Sequence, residues 1–336
     1  MGAVGIIANP ASGKDIRRLV ALGSVFGNQE KVNIVRRVLV GLDRAGVDEV
    51  YIMPDAFGIG WQAIDNMGRE NKHIAKKASV LPMSIDNTAD DSVLAAELMR
   101  ERGVTCFVTL GGDGTNRVVA KGAGDVPIVP VSTGTNNVVP QMVEGTIAGL
   151  AAGYVALHPE VRDKVAFRSK RLDIYKNGAY VDMALVDVAV VSGTSVGARA
   201  VWDPTSLRQI VVTRGMPETT GMSAIVGFLQ PLGAGDPWGV SVMLGERDGM
   251  EVTAPLAPGV VVTVHVSDLR TLNFGDRISL GSGPSTLALD GEREIPLGRK
   301  DGAEVVLSAE GPWLVDIRKA LTHAVEAGMF AVKGGR

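Results

Sequence analysis

Short apolar runs alternate with amphipathic segments through the first half of the chain. Residues 4–9, 49–53, 79–83, 104–110 and 128–131 each give a few consecutive apolar positions, the signature of strands covered on both faces. Between them apolar positions recur at helical spacing. The clearest case opens at Thr88, where Thr88-x-x-Asp91 makes a capping box and Asp90 and Asp91 occupy the positive first turn. It turns Leu94 and Leu98 inward and closes on Arg100, Arg102 and Gly103. Such alternation predicts a parallel sheet with ligands at the carboxyl ends of its strands, so the loops after Asn9, Leu110 and Val131 are the places to look.

Near residue 160 the pattern changes. From about Arg171 the chain reads as strand and turn only: 172–175, a Lys-Asn-Gly turn at 176–178, then 180–191, 210–213, 240–244, 260–266, 286–289 and 305–308. This predicts a β-sandwich-like domain. A helical stretch near 314–327 is expected to return to the first domain. The expected fold class is therefore α/β plus all-β. Residues 1–158 form a parallel α/β nucleotide-phosphate-binding domain, 159–312 a β-rich acceptor-binding domain, and 313–336 a C-terminal helical segment. The cleft between the domains is the expected site.

Composition narrows the partners. Over 336 residues the net charge is −3, so no basic field exists for nucleic acid. Aromatics are 4%, too few for a base-stacking platform. Glycine is high at 42 residues, concentrated in loops, which points to tight turns and close ligand approach. The single Cys106 lies in an apolar run and reads as a buried strand thiol in a reducing compartment. The histidines, His73, His158, His265 and His323, are too dispersed for a sequence-local zinc site. The first residues lack a basic leader, and the uncharged stretches 145–159 and 219–235 are too short and Gly-rich to cross a bilayer. The expectation is a cytoplasmic protein with no membrane partner.

Three loops carry candidate chemistry. Gly111-Gly112-Asp113-Gly114-Thr115 follows a strand and opens a helix, the arrangement of a phosphate cradle in which backbone N–H groups meet phosphate oxygens. A carboxylate there would be repelled unless it orients Mg²⁺ or takes a proton from an attacking hydroxyl; the plain alternative is a helix cap. Asn9-Pro10-Ala11-Ser12-Gly13-Lys14-Asp15 nearly fits a Walker A loop, but Ala8 and Asp15 break the pattern and exclude it. Asn9 can still reach phosphate or ribose, or simply make a turn. Ser132-Thr133-Gly134-Thr135-Asn136-Asn137 supplies hydroxyls and amides at the same edge, suited to ribose and phosphate hydrogen bonds or to solvent.

Asn9-Pro-x-Ser-Gly13, Gly111-Gly-Asp-Gly-Thr115 and Thr133-Gly-Thr-Asn136, in this order, resemble the superfamily of NAD kinases and diacylglycerol kinases. The opening, Asn9 to Arg18, is most similar to the ATP-NAD kinase-like branch that includes acetoin catabolism proteins. In the second half Thr220-Gly-Met-Ser-Ala224 and Ala184-Leu-Val-Asp187 resemble dinucleotide-contacting motifs of NAD kinases, and Leu289-Asp-Gly-Glu292 resembles the Asp-Gly-Glu of lipid kinases. Val186 and Met222 depart from the dinucleotide motifs, each removing a hydrogen-bonding group.

The resemblance implies transfer of a phosphoryl group from ATP or polyphosphate, with Mg²⁺, to a hydroxyl. Asp113 is the first candidate for base or metal-orienting carboxylate and Glu292 the second. Asn9, Gly111, Gly112, Gly114, Thr115, Thr133, Gly134, Thr135 and Asn136 are assigned to the donor. Asn137, Asp187, Thr220 and Ser223 are assigned to the acceptor, with metal ligands unassigned. NAD(H) is the first acceptor and a small polyol or hydroxyketone the second; a lipid acceptor would need a deep apolar channel. A nucleotide-binding accessory or sensor without turnover is the reading from a different class. Asp290 either serves the site or only shapes its turn, and Lys14, Arg17 and Arg18 face phosphates or solvent. Exposed edge strands suggest a homodimer.

Overall fold

The structure is a computed structural model and describes residues 2–13, 21–23, 26–134, 136–193, 204–245 and 249–331. The five apolar runs of the first half are strands: β1 (Ala3–Ala8), β2 (Glu49–Ile52), β3 (Ala78–Val80), β4 (Val104–Gly111) and β5 (Ile128–Ser132). They pair in parallel in the order β3-β2-β1-β4-β5. Strand order reverses between β1 and β4, so their carboxyl ends flank the crevice where an open α/β sheet takes its ligand. The loops after Asn9 and Gly111 open there.

Helices cover both faces. One layer holds α1 (Asn28–Ala45), α2 (Ile59–Asp65) and later elements; the other holds α3 (Asp90–Glu101) and α4 (Asp113–Ala123). In α3 the capping box is only half formed. Asp91 accepts the Thr88 N–H at 3.2 Å, but the cap position is Ala89. The apolar face is also rotated from the expected one: Ser92, Ala95, Ala96 and Met99 are buried, whereas Leu94 is 42% exposed and Leu98 half-buried. The small residues let α3 lie close to α4, where a Cβ at Gly122 would meet the Val93 carbonyl oxygen at 2.4 Å. The uncharged stretch after residue 144 is α5 (Gly145–Leu157), a buried helix whose glycines meet α1 at backbone distance. Among the described residues no helix is long and apolar enough to cross a membrane.

After the short α6 (Arg162–Val165) and β6 (Ala166–Arg168), the chain builds two antiparallel sheets. β7 (Arg171–Lys176) and β8 (Ala179–Ala184) join through Asn177 and Gly178, both at positive φ as a two-residue hairpin requires. The expected single strand 180–191 is two strands. β9 (Asp187–Ser192) belongs to the other sheet, and the chain crosses between sheets at Leu185 and Val186, whose N–H groups go to the Asp290 carboxylate instead of a neighbouring strand.

β10 (Leu207–Val212) follows, and then a helix, α7 (Met222–Leu229), which corrects the reading of this half as strand and turn alone. Its eight residues make a short and largely apolar run, a length and composition that fit a buried strand as well as a helix. β11 (Trp238–Leu244), β12 (Met250–Ala257), β13 (Val260–Asn273), β14 (Arg277–Ser282), β15 (Ser285–Leu289), β16 (Glu292–Leu297) and β17 (Gly302–Ser308) complete the sheets. An apolar core that includes Leu172, Val188, Leu287 and Val305 lies between them, as in a sandwich.

The chain then returns to the first sheet. β18 (Trp313–Val315) pairs in parallel with β5, and α8 (Ile317–Glu326) buries Ile317, Ala320 and Ala324 in the first core. The C-terminal segment thus begins with a strand rather than with helix.

Candidate active site

Loops from both halves meet at the β1/β4 crevice around a cleft of about 1260 Å³. Asn9, Gly112, Asp113, Gly114, Thr115, Thr133, Gly134, Asn136, Asn137 and Glu292 all line it, so most of the sequence-selected residues come together. Gly111 does not line it: a Cβ there would meet Thr115 Oγ1 at 2.3 Å, so this glycine serves loop closure. Gly112 likewise leaves room for Asn137, whose Oδ1 would lie 2.7 Å from its Cβ. At Gly114 a Cβ would meet Glu292 Oε1 at 3.8 Å, an ordinary contact, so packing against the rest of the chain does not require glycine here. Thr135, Lys14, Arg17 and Arg18 lie outside the described residues.

The loops brace one another. Asn9 Nδ2 donates to Thr115 Oγ1 at 2.9 Å, and Asn9 Oδ1 accepts the Ala11 N–H at 2.8 Å. The Ser12 and Thr133 hydroxyls are 2.8 Å apart. Asn137 Nδ2 donates to Ser132 Oγ at 2.8 Å, which in turn donates to the Gly134 carbonyl. Asn9 and Asn137 are thus committed, through these bonds, to shaping the edge of the cleft.

Asp113 opens α4 and is buried. Its carboxylate accepts the N–H of Val139 at 2.7 Å and of Val138 at 3.0 Å. Burial, reinforced by the Asp290 carboxylate, pushes it up to about 7, while the two N–H groups and Arg214 pull the other way. Beside it a cavity of about 20 Å³, room for one water or one hydroxyl, is lined by Asp187, Thr220, Ser223, Asp290 and Met222 among others. Three of the four predicted acceptor residues, Asp187, Thr220 and Ser223, gather here, whereas Asn137 lines the large cleft instead. The Thr220 hydroxyl donates to Asn136 Oδ1, tying this cavity to the loop after β5. Ser223 is fully buried, and its hydroxyl finds no partner among the described residues. Glu292 lies at the wall of the large cleft and does not line the small cavity.

Asp290, read from the sequence as a site or turn residue, lies in the turn and at the edge of the small cavity. It sits at φ 50°, its carboxylate accepts N–H groups from Leu185, Val186 and Asp187, and it borders the cavity. Burial raises its pKa against the opposing pull of Arg117. Arg117, which the sequence reading missed, is buried on α4 and reaches three carboxylates of the second half: Asp182 at 3.1 Å, Glu294 at 3.2 Å and Asp290 at 3.4 Å. Its signal was available, since Arg117 lies one turn after Asp113 on the same helix face. Arg214 was also missed. It donates to Ser169 Oγ, and burial lowers it to about 10 against the pull of Asp113 and Asp290.

The cleft wall is acidic. Asp55, Asp90, Asp91, Asp113, Asp182, Asp290, Glu292 and Glu294 line it, against Arg117 and Lys121 among the described residues. The described part of this wall would by itself repel a polyphosphate. Among the described residues no three His, Cys, Asp or Glu side chains form a ready metal cage. The donor set fits Mg²⁺ shared between one or two carboxylates and phosphate oxygens.

Known proteins fit this description. Residues 4–158 match the ATP-NAD kinase N-terminal domain, and residues 170–310 match the acetoin catabolism protein X C-terminal domain. The N-terminal half is thus NAD kinase-like, and the C-terminal half is like that of acetoin catabolism protein X. Over 330 residues, 96% of this chain and 92% of the other, the sequence is 37% identical to acetoin catabolism protein X of Cupriavidus necator. The chain belongs to the acetoin catabolism protein X family. A diacylglycerol kinase structure from Bacillus anthracis aligns over 94% of this chain and 96% of its own, with 12% identity and a TM-score of 0.44.

Proposed function

We propose that this protein transfers the terminal phosphoryl group of Mg-ATP, or of polyphosphate, to a hydroxyl of a small polyol or hydroxyketone. The observation that carries the reading is the place of Asp113. It joins the glycine-loop cleft to a cavity the size of one hydroxyl, in an environment that brings its carboxyl up to about 7. A base poised near working pH is suited to take a proton in the transition state.

In the proposed step the acceptor O–H proton passes to the Asp113 carboxylate. The oxygen attacks the terminal phosphorus, and the bond from that phosphorus to the bridging oxygen breaks, releasing ADP from ATP or a polyphosphate one unit shorter. The Gly112–Gly114 backbone holds the phosphates, and Asp187 and Ser223 orient the acceptor. Mg²⁺, held between cleft carboxylates and phosphates, would offset charge that this acidic wall otherwise repels.

The small acceptor is favoured over NAD(H) by two side chains. Val186 is buried in an apolar cluster, with its N–H given to Asp290, and Met222 is buried at the cavity. Neither offers the hydrogen bond a dinucleotide motif places there. The family relative's name also points to acetoin catabolism. The test is Mg-ATP turnover with acetoin, glycerol, NAD⁺, NADH and diacylglycerol, with Asp113→Asn alongside. Phosphorylation of acetoin or glycerol that disappears in the variant supports the proposal. NADP formation keeps the mechanism and replaces the acceptor; tight ATP binding without transfer favours a nucleotide-binding accessory protein.

A further inference from the structure

Lys31 occupies the first turn of α1, where the helix dipole disfavours a cation, and its side chain is fully buried. Lysine is almost never fully buried unless its ammonium is held. Here the Nζ donates to the Asn9 carbonyl at 2.7 Å, the Ser12 carbonyl at 2.8 Å and Asn28 Oδ1 at 3.2 Å. Three oxygens match the three donors of an ammonium. Two of them are main-chain atoms at either end of the Asn9 to Ser12 turn, so one side chain fixes the shape of that turn from beneath the cleft.

The turn is also where the other two loops are tied. Asn9 continues to Thr115 of the glycine loop, and Ser12 continues to Thr133 of the third loop. Lys31 therefore stands at the root of two short chains, Lys31–Asn9–Thr115 and Lys31–Ser12–Thr133, that together reach all three loops of the sheet edge. Helix stability does not explain a lysine here, whereas loop shape does.

We propose that Lys31 is a positioning residue that holds the three cleft-edge loops in the arrangement that receives the phosphoryl donor. This rests on the reading of the cleft as a triphosphate site, and it adds a residue that does not itself line the cleft. A buried tie beneath the Asn9 to Ser12 turn acts on donor binding more than on the acceptor cavity, which meets the third loop through Asn136.

Lys31→Met and Asn28→Ala are titrated with Mg-AMP-PNP and followed by amide hydrogen exchange. The expected result for Lys31→Met is donor affinity at least tenfold weaker and donor KM raised to match, with acceptor KM within twofold of wild type. Exchange should quicken in peptides covering residues 9–13, 111–115 and 132–134 and stay unchanged in the C-terminal sheets. Asn28→Ala removes one oxygen of three and should weaken the donor about threefold; it carries the test if Lys31→Met does not fold. Unchanged donor affinity with unchanged exchange in the loops overturns the proposal, as does a loss spread evenly over donor KM, acceptor KM and global exchange. If wild type itself binds no Mg-AMP-PNP while Lys31→Met still loosens only these loops, the tie stands and the triphosphate reading of the cleft fails.

Discussion

Asp113 and Asp290 come from opposite halves of the chain and line one cavity, and the charge of Asp290 helps keep Asp113 from ionising. Burial is the larger cause, and together they move the Asp113 carboxyl from an ordinary value of 3.8 to about 7. Between those values the unfolded chain is ionised at this position while the native chain keeps its proton. Unfolding then releases a proton, so rising pH favours unfolding. The stabilising contribution is complete below pH 3.8 and is lost as pH rises through 7, an interval worth at most about 4 kcal/mol. Asp113→Asn lacks this loss. Its Tm relative to wild type should therefore rise between pH 5 and pH 8, all other titrating groups being common to both proteins. A Tm difference that stays flat over that range would show that Asp113 ionises normally.

The same carboxyl should govern turnover. With saturating donor and acceptor, kcat is expected to climb through pH 7 to a plateau, with a midpoint that belongs to the Asp113–Asp290 pair rather than to one residue. Asp113→Asn should lower kcat by about a hundredfold or more. Glu292→Gln, at the wall of the large cleft and away from the small cavity, should lower it by less than about tenfold. Equal losses in the two variants would move the proton-accepting role to Glu292.

How much of this was legible depended on whether the signal was local. β1 to β5 could be read because each is a brief apolar run between helical patterns, and the glycine loop because a strand, three glycines and a helix adjoin in sequence. α7 was hidden because eight largely apolar residues read as well as a buried strand. The break between β8 and β9 was hidden because its cause is Asp290, about a hundred residues later, which takes the N–H groups a continuous strand would have shared. Arg214 and the Asp182 pairing are long-range in the same sense. Lys31 was different: it lies on the buried stripe with Ile34, Val35 and Val38, so a lysine on an apolar face was visible and was passed over.

Gly111 and Gly114 should behave oppositely. A Cβ at Gly111 would enter the Thr115 side chain, so Gly111→Ala is expected to lower Tm. A Cβ at Gly114 meets nothing closer than 3.8 Å, and alanine is a better helix residue by about 1 kcal/mol. Gly114→Ala should therefore keep or raise Tm while weakening Mg-ATP binding at least tenfold. Thermal melts with and without Mg-ATP separate the two, since wild type gains stability from the ligand and Gly114→Ala should not. An undiminished ligand-induced shift in Gly114→Ala would remove this loop from the donor site.

Arg117 joins the glycine-loop helix to the second half of the chain through three carboxylates, and its own guanidinium and the Asp290 side chain are almost wholly shielded from water. Breaking a buried pair by removing one partner leaves the other charge unsupported, at about 3–5 kcal/mol. Arg117→Met should therefore lose stability of that order in urea unfolding at pH 8. The loss should shrink as pH falls, because Asp290, already raised by burial, takes a proton more readily once Arg117 is gone. Adding Asp290→Asn should recover part of it at pH 8, because an amide oxygen can still accept the Leu185 and Val186 N–H groups that hold the β8–β9 crossover. A double variant no more stable than Arg117→Met at pH 8 would place the destabilisation in lost packing of the arginine stem rather than in an orphaned charge.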